Sequence, residues 1–206
     1  MSQLVNSVFN KVKETVHYSP SSTVPQVSII MPVSRDDSYE AVSSAIECIE
    51  KSSLVLDYEI VFVVDRVAPE VEGLFLRLGS SRRLSIVRVD SSATVAERRL
   101  AGHYYSFASA PLILYTTTRI RYDLDNMETF QLLVDEILSR DSIWLTFPRG
   151  CEYDVQLYRR VAVEQRMYGW KAEGETLEAE IDGFRSWILK RGYLAFPVEA
   201  LVKVEE

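Results

Sequence analysis

Between residues 27 and 118, short apolar runs alternate with longer amphipathic segments, and this alternation is the feature that most limits the possible folds. Apolar runs that lack a polar face are typical of strands covered on both faces, as in a parallel sheet. The segments between them are long enough for right-handed crossover helices. The pattern predicts an α/β fold of Rossmann-like type, with an open, mostly parallel sheet between two helix layers. The runs are 27-VSIIMPV-33, 58-YEIVFVVD-65, 84-LSIVRVD-90 and 112-LILYTTT-118.

Local signals indicate where the helices between these strands begin and end. An Asp or Thr three residues before Glu has the spacing of a capping box, and proline is favoured in the first turn of a helix. The sequence thus predicts a helix in each connection. The first helix is predicted to begin at the Asp37–Glu40 capping box and to end near Ser52. The second begins at Pro69 and ends near Gly79. The third begins at the Thr94–Glu97 capping box and ends near Ala108.

Beyond residue 125 the alternation becomes less regular. The sequence predicts further helices and strands there but no internal repeat, so we expect residues 27–206 to form a single domain. The predicted elements are a helix from Met127 to Leu138, a strand over 142–148, a Tyr- and Arg-rich helical segment over 153–170, a helix from Leu177 to Lys190 stopped by Gly192, and a strand-like tail over 193–204.

The first 26 residues have a different character. Residues 3–17 carry apolar side chains at the spacing of one helical face, which predicts an amphipathic helix. The Ser/Pro stretch 19-SPSSTVP-25 predicts a linker after it. We therefore expect residues 1–26 to be an appendage. Its helix either docks on the domain or contacts a partner or a membrane surface, although lysines are few for attraction to anionic lipid.

The composition argues against several classes of function. The 206 residues carry a net charge of -7 with an isoelectric point near 5.0, which does not suit a nucleic-acid binder. With 2 cysteines and 2 histidines, neither a disulfide framework nor a zinc site is expected, and reduced thiols are typical of a cytoplasmic protein. We see neither a secretory signal nor a glycine-rich phosphate loop.

In an open parallel sheet, ligands bind outside the carboxyl ends of the strands. The polar residues that follow the apolar runs are therefore the first candidates for a functional site, and the arginines among them suit contacts with phosphate groups. These residues are Ser34, Arg35, Asp65, Arg66, Asp90, Thr116, Thr117, Thr118 and Arg119.

Several segments resemble the family 2 glycosyltransferases, which have the GT-A fold. The run 27-VSIIMPV-33 is similar to their opening strand, which ends in proline, and 61-VFVVDR-66 is similar to their second strand, which ends Val-Asp-Asp. The segment 97-ERRLAG-102 stands where the family has Ala-Arg-Asn-x-Gly. Near the end, 180-EIDGFRSWILKRGY-193 is similar to the family's Glu-Asp-x-Asp-Leu motif and the Arg-Leu-x-x-x-Gly-Tyr that follows it. The resemblance spans residues 27–204.

This resemblance implies binding of a nucleotide-sugar donor. Pro32 and Asp65 would lie at the nucleotide, with Asp65 on its base or ribose. Arg66 replaces an acid that the family uses near the base. Arginines would offset the donor's phosphates if no metal binds, with Arg119 the best placed, or most of them are solvated surface residues. They are Arg35, Arg66, Arg98, Arg99, Arg119 and Arg121.

The family's metal-binding motif is displaced in this sequence. Family members end the fourth strand in Asp-x-Asp, which holds Mn²⁺ or Mg²⁺ against the diphosphate, whereas here Thr116 and Thr118 occupy the acidic positions. An Asp-x-Asp formed by Asp123 and Asp125 follows later. These acids are either the metal ligands, or Asp125 caps the next helix through the spacing Asp125-x-x-Glu128. Without a metal, the arginines would have to offset the diphosphate charge.

An inverting transfer needs a carboxylate that takes the proton of the acceptor hydroxyl. The resemblance places this base in the acidic motif before the last helix, where the chain has Glu180 and Asp182, with Asp182 slightly preferred. Alternatively, these are surface acids near the start of the helix, favoured by its dipole. Glu152 and Asp154 are weaker candidates.

Aromatic residues cluster where family members bind the acceptor. They either stack on a sugar ring or fill the core. They are Tyr153, Tyr158, Tyr168 and Trp170.

The resemblance therefore implies an inverting glycosyltransferase acting on a glycan, protein or lipid hydroxyl, and the acidic composition predicts no nucleic-acid partner. One rival is a non-catalytic protein of the same fold that serves as a binding or assembly module. A second rival is a related nucleotidyltransferase.

Overall fold

The structure, a computed structural model, describes residues 8–18, 23–51, 57–105, 110–122, 129–151, 153–167, 177–198 and 202–204. None of the helices in these ranges has the length and hydropathy that a bilayer crossing requires. The strands are β1 (Val12–Tyr18), β2 (Val27–Val33), β3 (Tyr58–Val64), β4 (Leu84–Val89), β5 (Leu112–Thr116), β6 (Ile120–Tyr122), β7 (Ile143–Pro148), β8 (Val155–Arg159), β9 (Leu194–Val198) and β10 (Val202–Val204). The helices are α1 (Tyr39–Lys51), α2 (Pro69–Gly79), α3 (Val95–Tyr104), α4 (Thr129–Ser139), α5 (Arg160–Met167) and α6 (Leu177–Lys190).

Most of the strands form one sheet of 8 strands in the order β1-β4-β3-β2-β5-β8-β7-β9. β2 pairs in parallel with both β3 and β5, so the strand order changes direction beside β2. β4 and β9 also pair in parallel, with β3 and β7, whereas β1 and β8 run antiparallel to their neighbours. β6 and β10 pair separately as a short antiparallel ribbon. The predicted open, mostly parallel sheet is confirmed.

Two apolar cores lie on opposite faces of the sheet, because successive residues of a strand point to opposite sides. Ile29 and Met31 of β2 pack on one face with residues of α1, α2 and α4. Ile30 packs on the other face with residues of α3, α5 and α6. The helix layers thus cover both faces, which explains why β2 has no polar face.

The helix predicted over residues 3–17 is wrong for its second half. Residues 8–11 are helical, but Val12–Tyr18 forms β1, which pairs antiparallel with β4 at the edge of the sheet. Residues four apart lie on one face of a helix and also on one face of a strand, so the spacing of Val12 and Val16 fits both structures. Pairing with β4 decides that the segment forms a strand. Val8 is buried in the core beside α3, so this described part packs on the domain. The division at residue 26 stays a prediction.

The helical segment predicted over 153–170 is wrong for its first part. Val155–Arg159 forms β8 between β5 and β7, and the helix begins only at Arg160. Residues 155–158 are all buried, so β8 shows no alternation that would distinguish it from a helix. Tyr158 belongs to the core, with its ring 5.4 Å from that of Phe184, rather than to an acceptor surface.

Other boundary signals are confirmed. Thr94 and Glu97 form the predicted capping box: the Thr94 hydroxyl accepts from the Glu97 N–H at 3.2 Å, and the Glu97 carboxylate accepts from the Thr94 N–H at 2.8 Å. Pro69 begins α2. Helix α6 has the predicted bounds and is followed by Gly192, whose φ of 81° is the left-handed conformation that ends helices.

Gly102→Ala is expected to destabilise the fold, because the added Cβ would lie 2.5 Å from Ile30 Cγ2 and 2.9 Å from Val63 Cγ2. Helix α3 would have to move away from the sheet, at a cost of about 1–3 kcal/mol. Gly73→Ala in α2 is the matched control, since the nearest atom there lies 3.7 Å away on Arg77. It is expected to raise stability by roughly 0.5–1 kcal/mol. Urea unfolding measures both, and no loss for Gly102→Ala would contradict this close packing.

Candidate functional site

The carboxyl ends of the parallel strands β2, β3, β4 and β5 lie along one edge of the sheet, which we call the carboxyl edge. The strand order changes direction between β3, β2 and β5 on this edge. Open α/β sheets bind ligands in the crevice at such a point. The polar residues around it therefore form the candidate site.

Asp65, directly after β3, forms an ion pair with Arg98 of α3. The Arg98 Nη2 atom lies 3.0 Å from Oδ2 of Asp65, and the Arg66 backbone N–H donates to Oδ1 at 2.6 Å. Arg98 is held further by its Nε, which donates to the Ala93 carbonyl at 3.1 Å. The two side chains are only 11% and 17% exposed, so solvent screens their attraction weakly. The pair is a fixed charged feature of the carboxyl edge.

Asp37 links the ends of β2 and β5. Its Oδ2 accepts from the Ser34 backbone N–H at 2.6 Å, and its Oδ1 accepts from the Thr118 hydroxyl. The predicted capping of α1 by Asp37 is wrong, because Ser38 takes that role and accepts from the Ala41 N–H at 3.1 Å. The Asp37 carboxylate, from the loop after β2, therefore reaches the end of the three consecutive threonines Thr116–Thr118, which we call the threonine run.

Asp154 reaches the same run from β8, which pairs antiparallel with β5. The Thr117 hydroxyl donates to Oδ1 of Asp154 at 3.2 Å, and Nη2 of Arg119 donates to the same oxygen at 2.9 Å. The Asp154 side chain is 13% exposed, whereas that of Arg119 is 57% exposed. The Asp154 carboxylate thus holds one nitrogen of an arginine side chain that is more than half exposed.

Asp182 lies on α6 and contacts the residue before Asp154. The Tyr153 hydroxyl is 3.4 Å from both carboxylate oxygens of Asp182, whose side chain is exposed. Asp182 lies in the second turn of α6 rather than the first. Glu180 is on the same helix, but its side chain is outside the described part. The structure therefore brings Asp182 to the turn before β8 that contains Asp154.

The other predicted nucleotide contacts are spread along the carboxyl edge. Pro32 lies within β2 and is half-buried. Arg35 is exposed, and its nearest described carboxylate partner is Asp36, at 3.4 Å. The Arg66 side chain is also exposed. Arg35 and Arg66 follow the predicted strands, but no described side-chain contact links Pro32, Arg35 or Arg66 to the Asp65–Arg98 pair.

Asp90, after β4, serves a different part of the sheet. The Ser92 backbone N–H and the Lys13 ammonium hold the pKa of Asp90 well below its usual range. The Lys13 Nζ lies 2.9 Å from Oδ2 of Asp90. The Asp90 carboxylate therefore links the end of β4 to β1, rather than contributing to the site beside β2 where the strand order changes direction.

A buried cation lies behind the last residues of β5 and the first of β8. The Arg99 guanidinium is almost fully buried and donates to Oε1 of Gln156 at 2.7 Å. It packs over the rings of Tyr115, Tyr158 and Phe184 at 4.7, 5.4 and 5.7 Å from their centroids. Burial raises the pKa of Tyr115 to about 12, against the opposing effect of Arg99. The phenol therefore stays neutral.

The described residues contain no cluster of side chains that would hold a divalent metal by itself. Among them, no three His, Cys, Asp or Glu side chains converge closely enough to hold an ion. Asp37 and Asp154, which reach the threonine run, already accept hydrogen bonds, and threonine hydroxyls are poor substitutes for carboxylate ligands. Asp123 and Asp125 lie outside the described residues, so their assignment as metal ligands stays a prediction.

Sequence reasoning assigned the wrong role to Asp37 and ranked Asp154 as a weak candidate base. Asp37 has the spacing of a helix cap, and nothing local shows that it turns back to Thr118. Asp154 falls at the start of a segment predicted as helix, which hid its position opposite the end of β5. The available signal was that both are acids: Asp37 lies in the connection after a predicted strand, and Asp154 lies beside the segment expected to face the acceptor.

No protein-family profile matches the sequence, and no curated protein is significantly similar to it. Solved structures are similar. A mannosyltransferase from Pyrobaculum calidifontis, in complex with GDP-Man and Mn²⁺, is 14% identical with a TM-score of 0.67, covering 86% of this chain and 56% of that one. Glucosyl-3-phosphoglycerate synthase from Mycobacterium tuberculosis, in complex with Mn²⁺, UDP and glucosyl-3-phosphoglycerate, is 13% identical with a TM-score of 0.61, covering 88% and 72%.

A third similar structure is a putative glucose-1-phosphate thymidylyltransferase from Bacillus anthracis, which is 12% identical with a TM-score of 0.61, covering 86% and 89%. The chain therefore has the GT-A fold that the sequence resemblance implied. It spans about half the length of the mannosyltransferase, 56% of that chain.

Asp65→Asn and Arg98→Gln are each expected to lower the free energy of unfolding by about 1–3 kcal/mol, because each leaves a mostly buried charge without its partner. The double variant should lose less than the sum of the two, with a coupling of at least roughly 0.5 kcal/mol. Asp36→Asn is the control, since the Arg35–Asp36 pair is 70% and 83% exposed and should change stability by no more than about 0.5 kcal/mol. Additive effects in chemical unfolding would contradict the Asp65–Arg98 pair.

Proposed function

We propose that the protein transfers a sugar from a nucleotide-sugar donor to a hydroxyl of a glycan, protein or lipid acceptor, with inversion at the anomeric carbon. The observation that carries this proposal is the Asp65–Arg98 pair, fixed at the carboxyl edge of a GT-A fold where the strand order changes direction. Structures of the same fold contain GDP-Man or UDP, which supports a nucleotide-sugar as the donor.

The Asp65–Arg98 pair would recognise the nucleoside part of the donor. A carboxylate oxygen accepts hydrogen bonds from a base N–H or a ribose hydroxyl, and a guanidinium group has five donors in a fixed planar arrangement. Because both groups are held by protein contacts before the ligand binds, little side-chain freedom is lost on binding. Pro32 and Arg66 lie on the same edge and would flank the nucleotide.

A divalent ion, when bound, would neutralise charge that develops on the departing nucleoside diphosphate. The described residues hold no cluster of three metal-ligating side chains, so we propose none of them as its ligand. Asp123 and Asp125 are kept as the residues that would hold Mn²⁺ or Mg²⁺ if the reaction uses one.

Asp182 is the proposed general base. Its carboxylate would take the proton of the acceptor hydroxyl while the acceptor oxygen forms a bond to the anomeric carbon and the bond from that carbon to the diphosphate oxygen breaks. The Tyr153 hydroxyl contacts both carboxylate oxygens and would orient them. Glu180, on the same helix, is the alternative base.

A nucleotidyltransferase is a second candidate, because the Bacillus anthracis protein is matched over 89% of its own length, compared with 56% for the mannosyltransferase. An enzyme of that class would join a sugar 1-phosphate to a nucleoside triphosphate and release pyrophosphate. Pyrophosphate release from such pairs, with no release of nucleoside diphosphate from nucleotide-sugars, would favour it over glycosyl transfer.

A non-catalytic binding module is also supported by one observation. Thr116 and Thr118 stand at the family's acidic positions, and the Thr118 hydroxyl donates to the Asp37 carboxylate. In that case the protein would bind a nucleotide or a partner without turning over any donor.

Incubation with a panel of UDP-, GDP- and dTDP-sugars tests the proposal, with water as a slow acceptor. We expect one of them to release nucleoside diphosphate, and the anomer of the freed sugar, read by NMR, to show inversion. Asp182→Asn should slow this release by about 100-fold or more while donor affinity, measured by calorimetry, stays unchanged.

Glu178→Gln is the matched control, because Glu178 is an exposed acid of the same helix and should leave the rate unchanged. A loss in Glu180→Gln but not in Asp182→Asn would transfer the base role to Glu180. No nucleoside diphosphate release from any donor would contradict glycosyl transfer, and bound donor without turnover would favour the binding module.

A further inference from the structure

Arg119 lies on the carboxyl edge of the sheet. It follows β5, which pairs with β2 where the strand order changes direction. We propose that Arg119, rather than a divalent ion held by acids at the end of β5, offsets the negative charge of the diphosphate. This inference rests on the proposed function, because it presupposes a nucleotide-sugar donor.

The contacts of Arg119 suit this role. Its Nη2 is held 2.9 Å from Oδ1 of Asp154, and Asp154 is itself mostly buried and bound by the Thr117 hydroxyl. Within the described residues this is the side chain's one hydrogen bond, and the side chain is 57% exposed. The guanidinium is therefore anchored at one nitrogen, and more than half of the side chain is exposed. Arginine in this state can bind phosphate oxygens in a bidentate manner.

The carboxylates near Arg119 are already engaged. Asp37 accepts from the Ser34 N–H and the Thr118 hydroxyl, and Asp154 accepts from Thr117 and Arg119. A metal ion there would share these carboxylates with donors that the fold supplies, and the described residues add no third acid, histidine or cysteine beside them. A phosphate group would instead meet an N–H donor that keeps its contact with Asp154.

Two further cations extend the same edge. Arg35 follows β2 and Arg66 follows β3, and both side chains are exposed. Exposed guanidinium groups attract a diphosphate through solvent, and salt screens this attraction. Affinity for a nucleoside diphosphate should therefore fall with ionic strength and should not depend on a divalent ion.

Calorimetric titration of the full chain with GDP and with UDP, in EDTA and then in MnCl₂, tests the proposal. We expect one of these nucleotides to bind in EDTA with an affinity that Mn²⁺ does not increase. Arg119→Gln should weaken that binding by about 10-fold to 100-fold, because it removes a charge-assisted contact. Arg119→Lys should have an affinity between those of the wild type and Arg119→Gln, since lysine keeps the charge but loses the bidentate geometry.

Arg82→Gln is the matched control. Arg82 is about as exposed as Arg119, at 51%, and also pairs with one carboxylate, 3.1 Å away on Glu50, but it precedes β4 at the opposite edge. Its affinity should stay within about twofold of the wild type. Thermal unfolding of each variant shows whether the fold is retained, which the exposure of Arg119 leads us to expect.

The outcomes separate the two proposals. Binding that requires Mn²⁺ and is lost in Asp123→Asn or Asp125→Asn would overturn the role of Arg119 and leave glycosyl transfer standing. Binding in EDTA that Arg119→Gln leaves unchanged would also overturn it. Failure of both nucleotides and of every sugar donor to bind under either condition would overturn the proposed function itself, and this inference with it.

Discussion

The parallel pairing of β2 with both β3 and β5 is the interaction on which the rest of the structure depends. Ile30 lies opposite Val61 on one side and opposite Tyr115 on the other, and all three are buried. Parallel neighbours need crossover connections, and these place helices on both faces of the sheet. The same pairing brings the carboxyl ends of the strands together, so residues far apart in sequence meet at one edge.

Much of the fold could be predicted because its strongest signals are local. The apolar runs, the Thr94–Glu97 capping box and the bounds of α6 depend on short-range patterns and are confirmed. The two segments that were wrongly predicted as helix depend on tertiary contacts. The segment that forms β1 fits both helical and strand periods, and β8 is buried on both faces, so in each case the pairing partner rather than the local sequence decides the structure.

The site could be predicted less well than the fold. Asp65 was placed correctly at the end of β3, but which arginine it pairs with depends on how α3 packs on the sheet. Asp37 and Asp154 contact the threonine run only because the loop after β2 and the antiparallel strand β8 converge there. Such convergence depends on long-range geometry and leaves no spacing pattern in the chain. The three threonines can be read from the sequence, but the two carboxylates that accept their hydrogen bonds cannot.

Hydrogen–deuterium exchange, with and without saturating GDP or UDP, is the most direct test that the carboxyl edge is the nucleotide site. Ligand binding slows the exchange of backbone amides that it covers or orders. We predict protection of the segments that follow β2, β3 and β5, at residues 34–37, 65–66 and 117–119, and no change at 80–83 on the opposite edge. Protection confined to the opposite edge, or tight binding that protects none of these segments, would contradict the account.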